Sequence, residues 1–158
     1  RAERWFTRPL YLHLVRHPLA CIRSWTACNF DQVLFGPPRQ AGEMDWLLSN
    51  ENILDHLSEV EAERQTLIRY EDLLKDPEAE MRRLCAFLSL EFEPALLQPY
   101  QGDRMTERLS GLVSGDKMFY RKSSIDASAL KGARRLPEDG PLTEETIQMA
   151  RRFHYENL

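Results

Sequence analysis

No stretch of this 158-residue chain approaches the roughly twenty consecutive apolar residues that a membrane-crossing helix needs. Its first residues hold no charged-then-apolar leader, so the expected setting is cytoplasmic with no membrane partner. A Golgi-type anchored enzyme does not fit unless an anchor has been cut away. Cysteine is scarce. Cys21, Cys28 and Cys85 are odd in number and lack metal-ligand spacing, which suits small apolar fillers in a reducing compartment and neither a disulfide frame nor a metal site. Cys21 and Cys28 stand on one face of an expected helix, where burial is the natural reading. An excess of positive charge is also missing: the formal net charge is −4 and the basic residues are scattered among acids, which excludes a nucleic-acid partner held by phosphate neutralisation. Any anion site must therefore be local. Internal repeats and low-complexity tracts are absent, and the length suits one domain with its own core, or part of one.

What is present is an alternation of elements. Tyr11 to Val15 is β-branched and aromatic enough for a buried strand, and Pro18 suits the first position of a helix running to about residue 29. Gly36-Pro37-Pro38 signals a loop. Trp46, Leu47, Ile53, Leu54, Leu57 and Val60 form an apolar stripe that predicts a helix over 43–62. Residues 65–70 read as a second strand. Asp76-Pro77 starts another helix, whose buried face is Met81, Leu84, Cys85 and Leu88. From Phe92 to Gly140 the pattern dissolves into prolines, glycines and charges, and a stretch of that length is more often functional than idle. Thr143 then caps a last helix with Ile147, Ala150 and Phe153 facing inward. The order strand, helix, helix, strand, helix predicts an α/β layer around a parallel sheet, with sites at the carboxyl ends of strands.

At the first of those ends stands Arg16. A helix mouth offers free amides and a positive dipole to an anion, a guanidinium forks two donors onto it, and Ser24 lies about two turns along the same helix. The stretch fits a phosphate-binding corner and, equally, a capped helix with an ordinary surface arginine and serine. His13 is expected to pack in the strand; His17 adjoins Arg16; His56 and His154 fall on predicted helices without metal spacing. Glu71 and Asp72 are expected to tie down the second strand's end.

Arg16 with Ser24, Tyr70 in Arg69-Tyr70-Glu71-Asp72-Leu73, and the late Phe119-Tyr120-Arg121-Lys122-Ser123 together resemble the sulfotransferase family. The resemblance implies a three-layer parallel α/β sheet of the P-loop NTPase-like type. Its donor is 3′-phosphoadenosine 5′-phosphosulfate (PAPS), its product 3′,5′-adenosine bisphosphate (PAP), and it needs no metal. It places Arg16 and Ser24 on the 3′-phosphate and Tyr70 near the adenine. Arg121, Lys122 and Ser123 form the loop that closes on the same phosphate, although Ser123 stands where the family motif has glycine.

A narrower resemblance lies in Ser49-Asn50-Glu51-Asn52-Ile53-Leu54, in Arg64-Gln65, and in the run from Phe92 to Thr106. These look like the sulfotransferase domains of bacterial curacin-type and olefin-forming polyketide synthases. The implied reaction sulfonates the β-hydroxyl of an acyl chain on an acyl carrier protein, after which a neighbouring thioesterase hydrolyses and decarboxylates it to an alkene. Asn29 to Asn52 and Tyr100 to Arg108 would then lie nearest the acceptor. The family's phosphate loop with its lysine, and its general base, are not found: Gly111 to Lys117 has the wrong glycine spacing and no Ser or Thr after the lysine. The chain is thus expected to be the C-terminal half of a catalytic domain, with the catalytic base unassigned. A free-standing sulfotransferase acting on a sugar, lipid or small alcohol is one alternative, and an idle PAP-binding module is another. A P-loop kinase is disfavoured.

Overall fold

The computed structural model describes residues 2–27, 37–101, 125, 127, 130–131, 140–156 and 158. The chain forms two compact units, Arg1–Asp72 with Ser128–Leu158, and Leu73–Ala127.

In the first unit β1 (Tyr11–Val15) leads into α1 (Pro18–Ala27), then α2 (Pro38–Leu57) and β2 (Gln65–Arg69). The two strands pair in parallel, from Tyr11 opposite Gln65 to Val15 opposite Arg69, so the expected parallel α/β arrangement is present. α3 (Tyr70–Lys75) follows β2 directly. In the second unit α4 (Pro77–Phe87) is followed by a 3-10 turn at Pro94–Leu97, and Arg82 lies over the Phe92 ring at 4.0 Å. The chain then returns to the first unit, which α5 (Glu144–Arg152) closes. The core of that unit holds Val15, Trp46, Met149, Ala150, Phe153 and Tyr155, with Leu19, Ile22 and Leu142 in a second cluster. α1 and α2 approach closely at Gly42, where an added Cβ would stand 3.2 Å from Trp25 Cβ.

The caps read from sequence are in place. Asp76 accepts from the Ala79 amide with Pro77 at the first turn, and the Thr143 side chain accepts from the Thr146 amide. Three boundaries differ from expectation. Pro38, expected in a loop, opens α2 because proline suits a first helical turn, and the helix ends at Leu57, leaving Val60 buried in the turn beyond. Tyr70 begins α3 instead of ending the strand; Glu71 and Asp72 in that helix's first turn favour it electrostatically. β1 is buried on one face only: His13 and Val15 point into the core, while Leu12 and Leu14 remain 41% and 56% exposed.

Candidate functional site

The parallel register sets two chain exits side by side. Beyond the Val15 and Arg69 pair, Arg16 leaves β1 as Tyr70 leaves β2, and the Arg16 guanidinium lies 5.0 Å from the Tyr70 ring centroid, a cation–π contact. One residue further, the His17 amide donates to Glu71 Oε1 at 3.0 Å. The Arg16 carbonyl accepts from Trp46 Nε1 at 3.0 Å, tying the same corner to α2. Arg16 Nε is buried and has no hydrogen-bond partner among the described residues.

Arg16 lines a cavity of about 270 Å³ together with Ser24, Trp25, Asp45, Ser49 and Asn50. Ser24 is exposed on α1. Three residues singled out from sequence, Arg16, Ser24 and Tyr70, are therefore drawn to one corner of one unit. A guanidinium with an unpartnered nitrogen and a serine on the wall of the same cavity suit an oxyanion. The Asp45 carboxylate on the cavity wall opposes a second negative charge and limits how far one can spread.

One donor at the helix mouth is already taken. The amide of His17, at the helix mouth, is not available to an external anion: the Glu71 carboxylate occupies it, and Pro18 has no N–H. Glu71 thus takes one of the donors at the helix mouth. Asp72 pairs with Arg69 at 3.7 Å, so both acids tie down the strand end as expected.

His13 packs, as expected: it is 5% exposed, its Nε2 bonds Asn50 Oδ1 at 3.0 Å, and its ring meets Phe153 edge-on. Cys85 is buried, and burial pushes the Cys21 thiol up to about 11, which leaves it protonated and unreactive. Of the segments expected near the acceptor, residues 29–36 and 102–108 lie outside the described residues, as do Cys28 and the loop residues Arg121, Lys122 and Ser123. No cluster of His, Cys, Asp and Glu able to hold a metal occurs among the described residues.

Sequence reasoning missed Tyr155, which is 3% exposed. Its hydroxyl donates to Glu71 Oε2 at 2.6 Å, its ring packs edge-on against His17 at 5.1 Å, and Arg69 lies 4.5 Å over its face. A lone tyrosine after a helix carries no local signal of this. Trp46 reads in the sequence as a member of an apolar stripe and Asn50 as part of the run from Ser49 to Leu54; their bonds to the Arg16 carbonyl and to His13 exist only in three dimensions.

A family model described as "Sulfotransferase family" matches residues 3–94. Two solved structures match over 98% of this chain, each with a TM-score of 0.85. The sulfotransferase domain from the curacin biosynthetic pathway is 40% identical with 56% of its own length covered, and the sulfotransferase domain from the Synechococcus PCC 7002 olefin synthase is 38% identical with 52% covered. The chain thus spans about half the length of these relatives. No match was found among curated proteins.

Proposed function

The chain belongs to the sulfotransferase family, and from that premise we propose that it supplies the 3′-phosphate side of a PAPS-dependent sulfotransferase domain. In this reading Arg16 and Ser24 hold the 3′-phosphate, Tyr70 lies near the adenine, and Arg121, Lys122 and Ser123 close over the same group. The remaining half of a three-layer, P-loop-like domain carries the 5′-phosphosulfate cradle and the base. The observation that carries the reading is Arg16, which lines the same cavity as Ser24 and whose buried Nε has no partner among the described residues.

The chemistry follows from the donor. The acceptor hydroxyl gives its proton to the base as its oxygen attacks sulfur in line, the bond from sulfur to the bridging phosphate oxygen breaks, and PAP leaves with the electron pair. What this chain's residues contribute is grip and orientation: a charge-assisted fork from Arg16, a hydroxyl from Ser24, and the Tyr70 ring under the guanidinium, which keeps it in place. Such a displacement needs no metal.

For the acceptor, the likeness to curacin-pathway and olefin-synthase domains favours the β-hydroxyl of an acyl chain held on an acyl carrier protein, with a thioesterase acting next. Sulfonation there converts a poor leaving group into a good one.

Calorimetric titration of the full-length protein with PAP tests the donor site. Arg16→Ala removes one charge-assisted phosphate contact, which costs on the order of 1.5 to 3 kcal/mol, or roughly ten- to hundredfold in Kd. Equal affinity in the variant refutes the site. Mass spectrometry of products from a carrier-bound 3-hydroxyacyl thioester and from free alcohols tests the acceptor: sulfonation of the free alcohols alone would mean a free-standing enzyme.

A further inference from the structure

The last hydrogen-bonded pair of the sheet is Val15 with Arg69, and Arg16 leaves it without a ladder partner. Its direction depends on what holds the next residue. One hold there is the bond from the His17 amide to Glu71 Oε1, beside the Trp46 Nε1 bond to the Arg16 carbonyl. A carboxylate on a glutamate rotates broadly about its terminal torsion, so one bond does not fix it. The second bond comes from Tyr155, whose hydroxyl reaches Glu71 Oε2 at 2.6 Å.

Tyr155 is itself immobilised. α5 ends in a left-handed turn at His154 (φ 62°), with the Tyr155 amide bonded to the Ala150 carbonyl and the His154 amide to that of Arg151. This pairing throws Tyr155 back toward the core. There its ring is gripped between His17 and Arg69. Burial, and then the bond to Glu71, push its phenol well above the usual range, so the hydroxyl stays a donor at any working pH.

We propose that Tyr155 is a positioning residue for donor binding: its hydroxyl orients the Glu71 carboxylate, which holds the His17 amide and so sets the direction in which Arg16 leaves β1. The inference rests on the reading of Arg16 as the 3′-phosphate ligand. It makes a residue near the chain's C-terminal end, remote from every motif, a determinant of affinity for the nucleotide. Tyr155 touches neither donor nor acceptor in this account; it acts through Glu71.

Tyr155→Phe in the full-length protein removes one oxygen and leaves Glu71 Oε2 buried without its donor. The expected result is a Kd for PAP raised about fivefold or more, together with faster hydrogen exchange in the peptide that carries the His17 amide. Glu71→Gln, which still offers an acceptor to that amide, should keep more PAP affinity than Glu71→Ala. Met149→Ala opens a cavity in the core cluster it shares with Tyr155 but keeps the Tyr155 hydroxyl, and should lower thermal stability with PAP affinity within twofold of the parent. The inference is overturned if Tyr155→Phe binds PAP within twofold of the parent, if His17 exchange is unchanged, or if Met149→Ala loses affinity equally. Should Tyr155→Phe bind normally while Arg16→Ala does not, only the positioning role falls. Should the parent fail to bind PAP, or Arg16→Ala bind as well as the parent, the donor-site reading falls and takes the positioning role with it.

Discussion

Buried polar side chains in the strand-bearing unit find partners far away in sequence: His13 with Asn50, Glu43 with Thr143, Glu71 with Tyr155. Satisfying such groups is strongly favoured, because an unpaired buried donor or acceptor costs about 1 to 3 kcal/mol. His13 shows the consequence for pH. Asn50 Nδ2 donates to the Trp46 carbonyl, so its Oδ1 accepts and His13 Nε2 is the donor. Burial holds the His13 pKa below its ordinary value of 6.5, and the Asn50 bond opposes this only in part. Between those two values the unfolded chain binds more protons than the folded one, so stability falls as pH drops from about 6.5 toward the folded pKa and levels off below it. The thermal midpoint of the parent should therefore decline from pH 7 to 5. His13→Gln, which cannot titrate, should give a flatter profile; parallel profiles would show that His13 is not the group responsible. None of this was visible locally. A histidine in an apolar strand announces packing, and only the structure names Asn50.

Element by element, the helices follow local chemistry closely. Asp76 and Thr143 stop the preceding chain and start α4 and α5 because each side chain takes up a free amide. The far ends were not legible, because their usual marker is glycine and here non-glycine residues fill the left-handed position. Ser89 (φ 55°) and His154 (φ 62°) both do so, with paired amide-to-carbonyl bonds of Leu90 to Cys85 and Tyr155 to Ala150. Glycine removes the Cβ penalty at such a site. Ser89→Gly and His154→Gly should each leave stability unchanged or raise it by up to about 1 kcal/mol in urea denaturation. A clear loss would show that the side chains do more than bridge the turn. The apolar run of β1 is compatible with one covered face or two; within this chain, which spans about half the length of its relatives, His13 and Val15 are buried and Leu12 and Leu14 exposed.

Across the whole strand-bearing unit, the closing of α5 onto the rest depends on Glu43. Its buried carboxylate accepts from the Thr143 amide at 2.7 Å and from the Thr143 hydroxyl at 3.0 Å, and pairs with Arg39 at 3.4 Å, while Arg39 reaches the carbonyls of Gly140 and Pro141. Glu43→Ala should cost on the order of 2 kcal/mol in equilibrium denaturation. Because α5 brings Tyr155 to Glu71, the variant should also weaken PAP binding; a stability loss without an affinity loss would separate the two. The amino-acid sequence by itself determined the alternation of elements, the parallel α/β class and the corner at Arg16, because apolar period, proline and capping residues act within a few positions of themselves. It also carried the family, through short motifs whose order survives without coordinates. Only the tertiary structure decided that Glu71 takes the His17 amide, that Arg16 rests on Tyr70, and that Tyr155 holds the carboxylate between them. Those contacts join residues 54 to 84 positions apart, and a hydrogen bond across such a distance leaves no periodic trace in the chain that makes it.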